Sequence, residues 1–249
     1  MSVEALTILT QNAWGGAPLW KHRRELLARA IGERRPDVVG LQEIHAPTPD
    51  GQGSQAHELA ALVDGYEATF APARITPGGH CEGVALLVRR EAVVDGRSVL
   101  QLSRDADDTL DGPHQRVVLR AVLRQGDAIL EAMVTHLSLS KRARARTIGE
   151  LCAFAAKDRP PSASAVVVGD FNATPDEPSL AALDAGGWVD AWRHVHGDER
   201  GGTWPAGAAF RRIDYVWVQP APGWRVDACE RTPVSGSDHV GLLVRLTSR

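Results

Sequence analysis

The sequence predicts an α/β fold in which two mixed β-sheets pack face to face with helices on the outside. Two observations predict it. Apolar, strand-like runs alternate with amphipathic helical stretches in the first half of the chain and follow one another directly in the second. There is also no internal repeat and no linker long enough to divide the 249 residues, so residues 1–249 read as a single domain.

The elements follow in order. Leu6 to Trp14 alternates as a strand, with Asn12 near its end. Leu19 to Arg34 carries Leu26, Leu27, Ala30 and Ile31 at helical spacing and stops before Pro36. "VVGLQEI" is a buried strand finishing at Glu43, and the Pro-, Gly- and Ser-rich stretch from Ala46 to Gln55 is a loop. A helix from His57 to Val63 precedes strands at Tyr66–Phe70 and Val84–Arg89. "SRDADDTLDGPHQ", from Ser103 to Gln115, is an acidic, solvated connection. A calcium loop would need glycine at its sixth position, where Leu110 stands. Val117–Leu123 and Ala128–His136 pair across a turn at Gln125-Gly126-Asp127. Lys141 to Lys157 is an amphipathic helix, Ala165–Val168 a buried strand, Ser179–Leu183 a short helix, and Ile213–Val218 and Gly241–Leu246 the last strands.

Bulk properties narrow the class. With 43% hydrophobic and 24% charged residues the chain is an ordinary globular protein, and a net charge of −3 gives it no overall nucleic-acid-binding character. Cys81, Cys152 and Cys229 share no metal-ligand spacing and read as reduced thiols. The N-terminus lacks a basic segment followed by a long apolar one, and no stretch has the roughly 18 apolar residues of a membrane span. A cytoplasmic, monomeric protein is the expectation.

Polar residues gather at the ends of the apolar runs: Asn12, Glu43, His136, Asp170, Asn172, Asp214, Asp238 and His239. Singly each has an ordinary reading. Asn12 beside Gly15-Gly16 is a turn former, "GDFNATP" can be an Asx-turn closed by proline, and "RIDYVWV" can pair its aspartate with the adjacent arginine. Together they are costly unless they share a purpose, because partly buried carboxylates and amides need partners. Hard oxygen ligands without cysteine suit Mg²⁺, with Mn²⁺ as a substitute, and histidines with acidic neighbours suit binding and protonation of a phosphoryl group. The chemistry indicated is metal-assisted phosphoester hydrolysis.

The ordered set "TQNAWGG", "LQEI", "EGVALLVRR", "VTHLS", "GDFNATPDEP", "RIDYVWV" and "GSDHVGL" resembles the endonuclease/exonuclease/phosphatase superfamily, typified by deoxyribonuclease I. The resemblance runs from Asn12 to His239 in the family's order and implies a four-layer α/β sandwich with the site at one end of the two sheets. It also implies roles. Glu43 is similar to the principal Mg²⁺ ligand, with Asn12 and Asp238 close to the metal or its waters. Asp170 is similar to the residue that orients or deprotonates the attacking water, and Asn172 to a donor towards a phosphate oxygen. His136 and His239 resemble the phosphate-binding pair, oriented by Glu82 and Asp214 respectively and favoured as imidazolium. Arg116, in "HQRVVLR", falls where relatives place a phosphate-contacting arginine. The extended backbone of the Val166–Val168 strand should let Asp170 and Asn172 face one phosphate while Phe171 turns into the core.

Substrate identity depends on the loops. "KRARART", from Lys141 to Thr147, reads as a solvated helix start, with a phosphate-facing rim as the lesser alternative. In "GGTWPAGAAFRR", Trp204 and Phe210 can stack on a base or sugar with Arg211 or Arg212 near phosphate; equally, Trp204 and Pro205 can cap the sandwich. The first hypothesis is a phosphodiesterase acting on a nucleotide-like or small-molecule ester. The alternative is a DNA endonuclease, exonuclease or repair nuclease, which would call for a positive groove that the sequence does not display. A non-catalytic binding module would require loss of a site residue, and none is missing.

Overall fold

The computed structural model describes residues 4–248. In chain order the elements are β1 (Ala5–Asn12), α1 (Trp20–Arg34), β2 (Val38–Ala46), α2 (Gln55–Val63), β3 (Tyr66–Ile75), β4 (Cys81–Arg89), β5 (Val93–Gln101), β6 (Val117–Gln125), β7 (Ala128–His136), α3 (Lys141–Ala156) and β8 (Ala163–Asp170). They continue, after a single 3₁₀ turn at Pro178–Leu180, with α4 (Ala181–Ala185), β9 (Val189–Asp190), α5 (Ala191–His196), β10 (Asp214–Gln219), β11 (Trp224–Arg231) and β12 (Leu242–Ser248).

The strands form two six-stranded mixed sheets, ordered β11-β12-β1-β2-β4-β3 and β5-β6-β7-β8-β10-β9. Each contains one parallel pair near its middle, β1 with β2 and β7 with β8, and every other pairing is antiparallel. These central strands are covered on both faces, which is why they read as unbroken apolar runs such as "AVVV".

Alternation along those runs builds four layers. Ile8, Val38, Leu86, Leu119, Val134 and Val168 point between the sheets. Their neighbours turn outward. Leu9, Val39 and Leu87 pack with Leu27 and Ile31 of α1 and Leu59 of α2, and Met133 and Val167 pack with Ile148 and Leu151 of α3. The sheets approach closely at Gly40, where an added Cβ would lie 2.2 Å from Val168 Cγ2.

Several elements differ from expectation. β5 and β11 were not expected as strands. Both lie at sheet edges, each contains a register shift, and β5 alternates between exposed and half-buried residues, so neither carries an apolar run. β9 and α5 are too short to show a period. The acidic connection is also less free than its composition suggests. Asp111 is buried and pairs with Arg146 at 2.7 Å, Asp108 accepts from Ser140 Oγ, and Asp105 pairs with Arg142. Among the described residues no helix is long and apolar enough to cross a membrane, and Cys81, Cys152 and Cys229 are free thiols.

Filling the contact between the sheets should be costly. Gly40→Val is predicted to destabilise the protein by about 1–3 kcal/mol, as overpacking does, read as a lower urea midpoint. A midpoint equal to that of the parent would contradict this packing.

Candidate active site

The parallel pairs decide where the polar residues meet, because parallel neighbours end on the same side of a sheet. In the second sheet the register sets His136 beside Asp170 and Asp170 beside Asp214, so three polar side chains stand in a row on one face. His239, from the loop before β12, completes the row. Its Nδ1 lies 2.8 Å from Asp214 Oδ2 and its Nε2 3.8 Å from Asp170 Oδ2, while His136 Nε2 is 3.6 Å from the same Asp170 oxygen. Buried Thr203 holds the start of β10, its Oγ1 accepting from the amides of Ile213 and Asp214 at 3.2 Å each.

The first sheet contributes Asn12 and Glu43. A register shift in β2 between Leu41 and Ile44 puts Glu43 at φ 54°, re-aiming its side chain out of the strand's alternation. Asn12 Nδ2 then donates to both Glu43 Oε1 at 3.0 Å and Asp170 Oδ2 at 3.2 Å, joining the two sheets. The loop after β1 is pinned to the bulge: Gly15 N donates to Glu43 O, and a Cβ at Gly15 would fall 2.0 Å from that oxygen. Arg23 clamps the same loop by donating to the backbone carbonyls of Ala13, Trp14, Ala17 and Pro18, and ties it to the β11–β12 loop by donating to that of Gly236. Ser237 Oγ donates to Asn12 O at 2.6 Å and accepts from His239 N, tying the last site loop to the first strand.

Sequence reasoning missed Arg23, Thr203 and Ser237. Ser237 stood beside the Asp238-His239 pair, but Arg23 lies among other charged residues of α1 with nothing local to distinguish it.

The chain does not continue as a strand past Asp170. Asn172 has φ 52° and its backbone N donates to Asp170 Oδ1 at 2.9 Å, which is the Asx-type turn. Strand alternation therefore does not account for the pairing of acid and amide; the turn does. It also buries Phe171 and brings Asn172 Nδ2 to 3.1 Å from His136 Nε2 and 3.0 Å from Leu137 O.

The charges are unevenly matched. Burial, then Asp214 nearby, pushes Asp170 up to about 7. Burial, the neighbouring Glu82 and Asp238 also raise Glu43, although the Asn12 hydrogen bond opposes the shift. For His239 burial disfavours the imidazolium, but Asp214, Asp170 and Asp238 outweigh it and lift the ring to about 9. His136 goes the other way: burial, Arg116 and His239 hold it well below the usual imidazole value. A neutral His136 can accept at Nε2 from the Asn172 amide.

These residues fit a divalent cation. Glu43, His136 and Asp170 present ligand atoms within 4.8 Å of one another, as do Asp170, Asp214 and His239. Asp238 Oδ1 and Asp214 Oδ1 are buried without a hydrogen-bond partner. Crowded carboxylates, of which Asp170 and Glu43 hold protons more tightly than usual, offer the hard oxygens that a divalent cation takes. Asn12 fits less well than expected as a ligand. Its Oδ1 accepts from Trp14 N at 2.9 Å, which turns the amide NH₂ towards the acids.

Other expected residues are placed differently. Glu82 makes no hydrogen bond to His136 among the described residues; it acts on Arg116 and Glu43 through its charge. Trp204 donates from Nε1 to Asp238 Oδ2 at 3.2 Å and lies under the Arg211 guanidinium at 5.7 Å. Phe210 is exposed on the same loop. Arg212 is buried against Asp190 at 2.8 Å and over Tyr215, so it does not reach towards a phosphate. The basic start of α3 is likewise consumed, Arg144 by Glu177, Arg142 by Asp105 and Arg146 by Asp111.

The profile of the Endonuclease/Exonuclease/phosphatase family matches residues 9–239, and the chain belongs to this family. Its members hydrolyse phosphoester bonds and generally depend on a divalent metal. An endonuclease/exonuclease/phosphatase from Beutenbergia cavernae DSM 12333 is 24% identical, with a TM-score of 0.79 over 99% of this chain and 72% of its own. TDP2 of D. rerio, complexed with single-strand DNA product, is 18% identical with a TM-score of 0.78 over 98% and 99%. The human Nocturnin catalytic domain with bound sulfate is 20% identical with a TM-score of 0.77 over 99% and 94%. At these identities the likeness establishes the shared fold. No curated protein matches the chain.

The raised pKa of His239 has a consequence for stability. A folded-state value of about 9 against an ordinary 6.5 means that its contribution is complete below pH 6.5 and lost as pH rises through 9. In EDTA the unfolding free energy should therefore fall between pH 7 and 9, and less steeply in His239→Gln. Equal slopes in urea titrations of the two proteins would contradict the pairing with Asp214 and Asp170.

Proposed function

We propose that the chain is an Mg²⁺-dependent phosphodiesterase acting by water attack on a nucleotide-like or small-molecule phosphoester. The observation that carries this reading is the His239–Asp214 pair facing Asp170 across 3.8 Å, with Asn12 linking Asp170 to Glu43.

Glu43 and Asp238 would hold the cation, which when bound supplies Lewis-acid polarisation of the phosphoryl oxygen. Asp170 accepts the proton of the attacking water as the P–O bond opposite it breaks, and the departing alkoxide takes a proton from solvent; a carboxyl with a pKa near 7 is matched to the base's task at neutral pH. The His239 imidazolium, fixed by Asp214, donates to a non-bridging phosphate oxygen and offsets the charge that builds there. Asn172 Nδ2, 3.1 Å from His136 Nε2, would donate to the same group, and the Asn12 amide would turn its N–H from a carboxylate to a phosphate oxygen.

A small or single-stranded ester is favoured over duplex DNA because the arginines at the start of α3 are already paired and leave no basic track there. A substrate panel separates the two. Hydrolysis of bis-p-nitrophenyl phosphate without nicking of supercoiled plasmid is the expected result, and efficient nicking would favour the nuclease alternative.

Asp170→Asn and His239→Ala should each lower kcat/KM on bis-p-nitrophenyl phosphate by about 10²–10⁴-fold with unchanged circular dichroism. Near-normal turnover in both would refute the assignment. Dialysis against EDTA should abolish hydrolysis, and Mg²⁺ or Mn²⁺ should restore it; activity that survives chelation would rule out the metal-dependent reading.

A further inference from the structure

Residues 203–206, in the loop before β10, grip the last site loop on both sides of Asp238. Val240 N donates to Thr203 O at 2.8 Å, and Ala206 N donates to Asp238 O at 2.6 Å. The backbone around Asp238 is therefore fixed without any side chain of that segment. Half-buried Trp204 adds a bond of a different kind, because it reaches the carboxylate itself: its Nε1 donates to Asp238 Oδ2 at 3.2 Å. The indole is held in turn. Trp204 exchanges backbone hydrogen bonds with Arg211 at 2.9 and 3.0 Å, and the Arg211 guanidinium lies over the ring, 5.7 Å from its centre.

A carboxylate pinned at one oxygen presents the other in a set direction. Asp238 Oδ1 is buried and accepts no hydrogen bond, and His239 Nε2 stands 4.0 Å from it, beyond hydrogen-bond reach. Released from the indole, the carboxylate is free to turn about its Cβ–Cγ bond and close on that ring. Such a turn would remove a ligand oxygen and a phosphate-facing donor together. The chemistry of the donor also suits the place. An indole N–H is neutral and donates only, so it orients the carboxylate without cancelling the charge a cation needs. A lysine or arginine there would compete with the cation.

We propose that Trp204 is a positioning residue for the divalent cation: its indole N–H fixes Asp238 so that Oδ1 is presented to the metal and kept off His239. The proposal rests on the metal-dependent reading above, in which Asp238 is a ligand, and assigns Trp204 to the cation instead of to a base or sugar of the substrate. Groups that orient a metal ligand without touching the metal typically change its affinity by about 10–100-fold when they are lost.

The test titrates metal-free protein with Mn²⁺ at neutral pH and follows the free ion by electron paramagnetic resonance. Trp204→Phe keeps a ring and loses the donor. Trp204→Gln loses the ring but carries an amide N–H as many bonds from Cβ as the indole N–H. Both should retain the parent's circular dichroism, because the backbone bonds around Asp238 do not involve the indole. The Kd for Mn²⁺ should rise about tenfold or more in Trp204→Phe and by a smaller factor in Trp204→Gln. At saturating Mn²⁺, kcat on bis-p-nitrophenyl phosphate should stay near the parent's, whereas a general loosening of the loop would lower it. Parent-like Mn²⁺ affinity in Trp204→Phe, or weaker binding by Trp204→Gln than by Trp204→Phe, would overturn the proposal while leaving the metal-dependent reading in place. A parent that binds no Mn²⁺, or an Asp238→Asn variant that binds it as tightly as the parent, would overturn the ligand role of Asp238 and the proposal with it.

Discussion

The whole site depends on register at the centre of the second sheet. β7 and β8 run parallel and end together, and β10 begins where β8 ends, so His136, Asp170 and Asp214 are fixed as cross-strand neighbours. A one-residue slip in either pairing would turn these side chains to the opposite face. Such slips are opposed by the apolar residues of the same strands, since Val134, Val168 and Val216 fill the space between the sheets while Met133, Val167 and Trp217 face the helices. The core thus holds the chemistry in place without touching it.

The opposite sheet reaches the same point by a different device. Glu43 leaves the alternation of β2 at a bulge, and the loop that follows β1 closes over that bulge under the grip of Arg23. The Asn12 amide then spans the gap between the sheets. What results is a cluster of carboxylates in which Asp170 and Glu43 hold protons more tightly than usual, set against the His239 imidazolium. Such a cluster is best satisfied by a divalent cation on one side and a phosphate on the other, each offsetting the charge the other brings.

Much of this was legible in the residues. Strands buried on both faces announce themselves as apolar runs, and the polar residues at their ends could be picked out because they interrupt those runs. The "GDFN" turn carried both of its readings at once: it is an Asx-turn, and the turn is what places Asn172 beside His136. Edge strands β5 and β11 were not legible, because half-exposed residues and bulges erase the pattern. Partnerships over long separations were hidden as well. Nothing near Arg212 points to Asp190, nor anything near Arg146 to Asp111, and so arginines that looked available for phosphate are already spent. The direction in which Asn12 faces was likewise not readable, since it is set by the backbone N–H of Trp14.

The central claim is that one cation sits at Glu43 and Asp238, both carried by the first sheet, within reach of Asp170 at the end of β8 in the second. Anomalous diffraction from a crystal soaked in Mn²⁺ tests it most directly. The account predicts a peak in contact with a Glu43 carboxylate oxygen and on the Asp170 side of His239. A Mn²⁺ peak elsewhere on the molecule, with none between these residues at saturating metal, would contradict it.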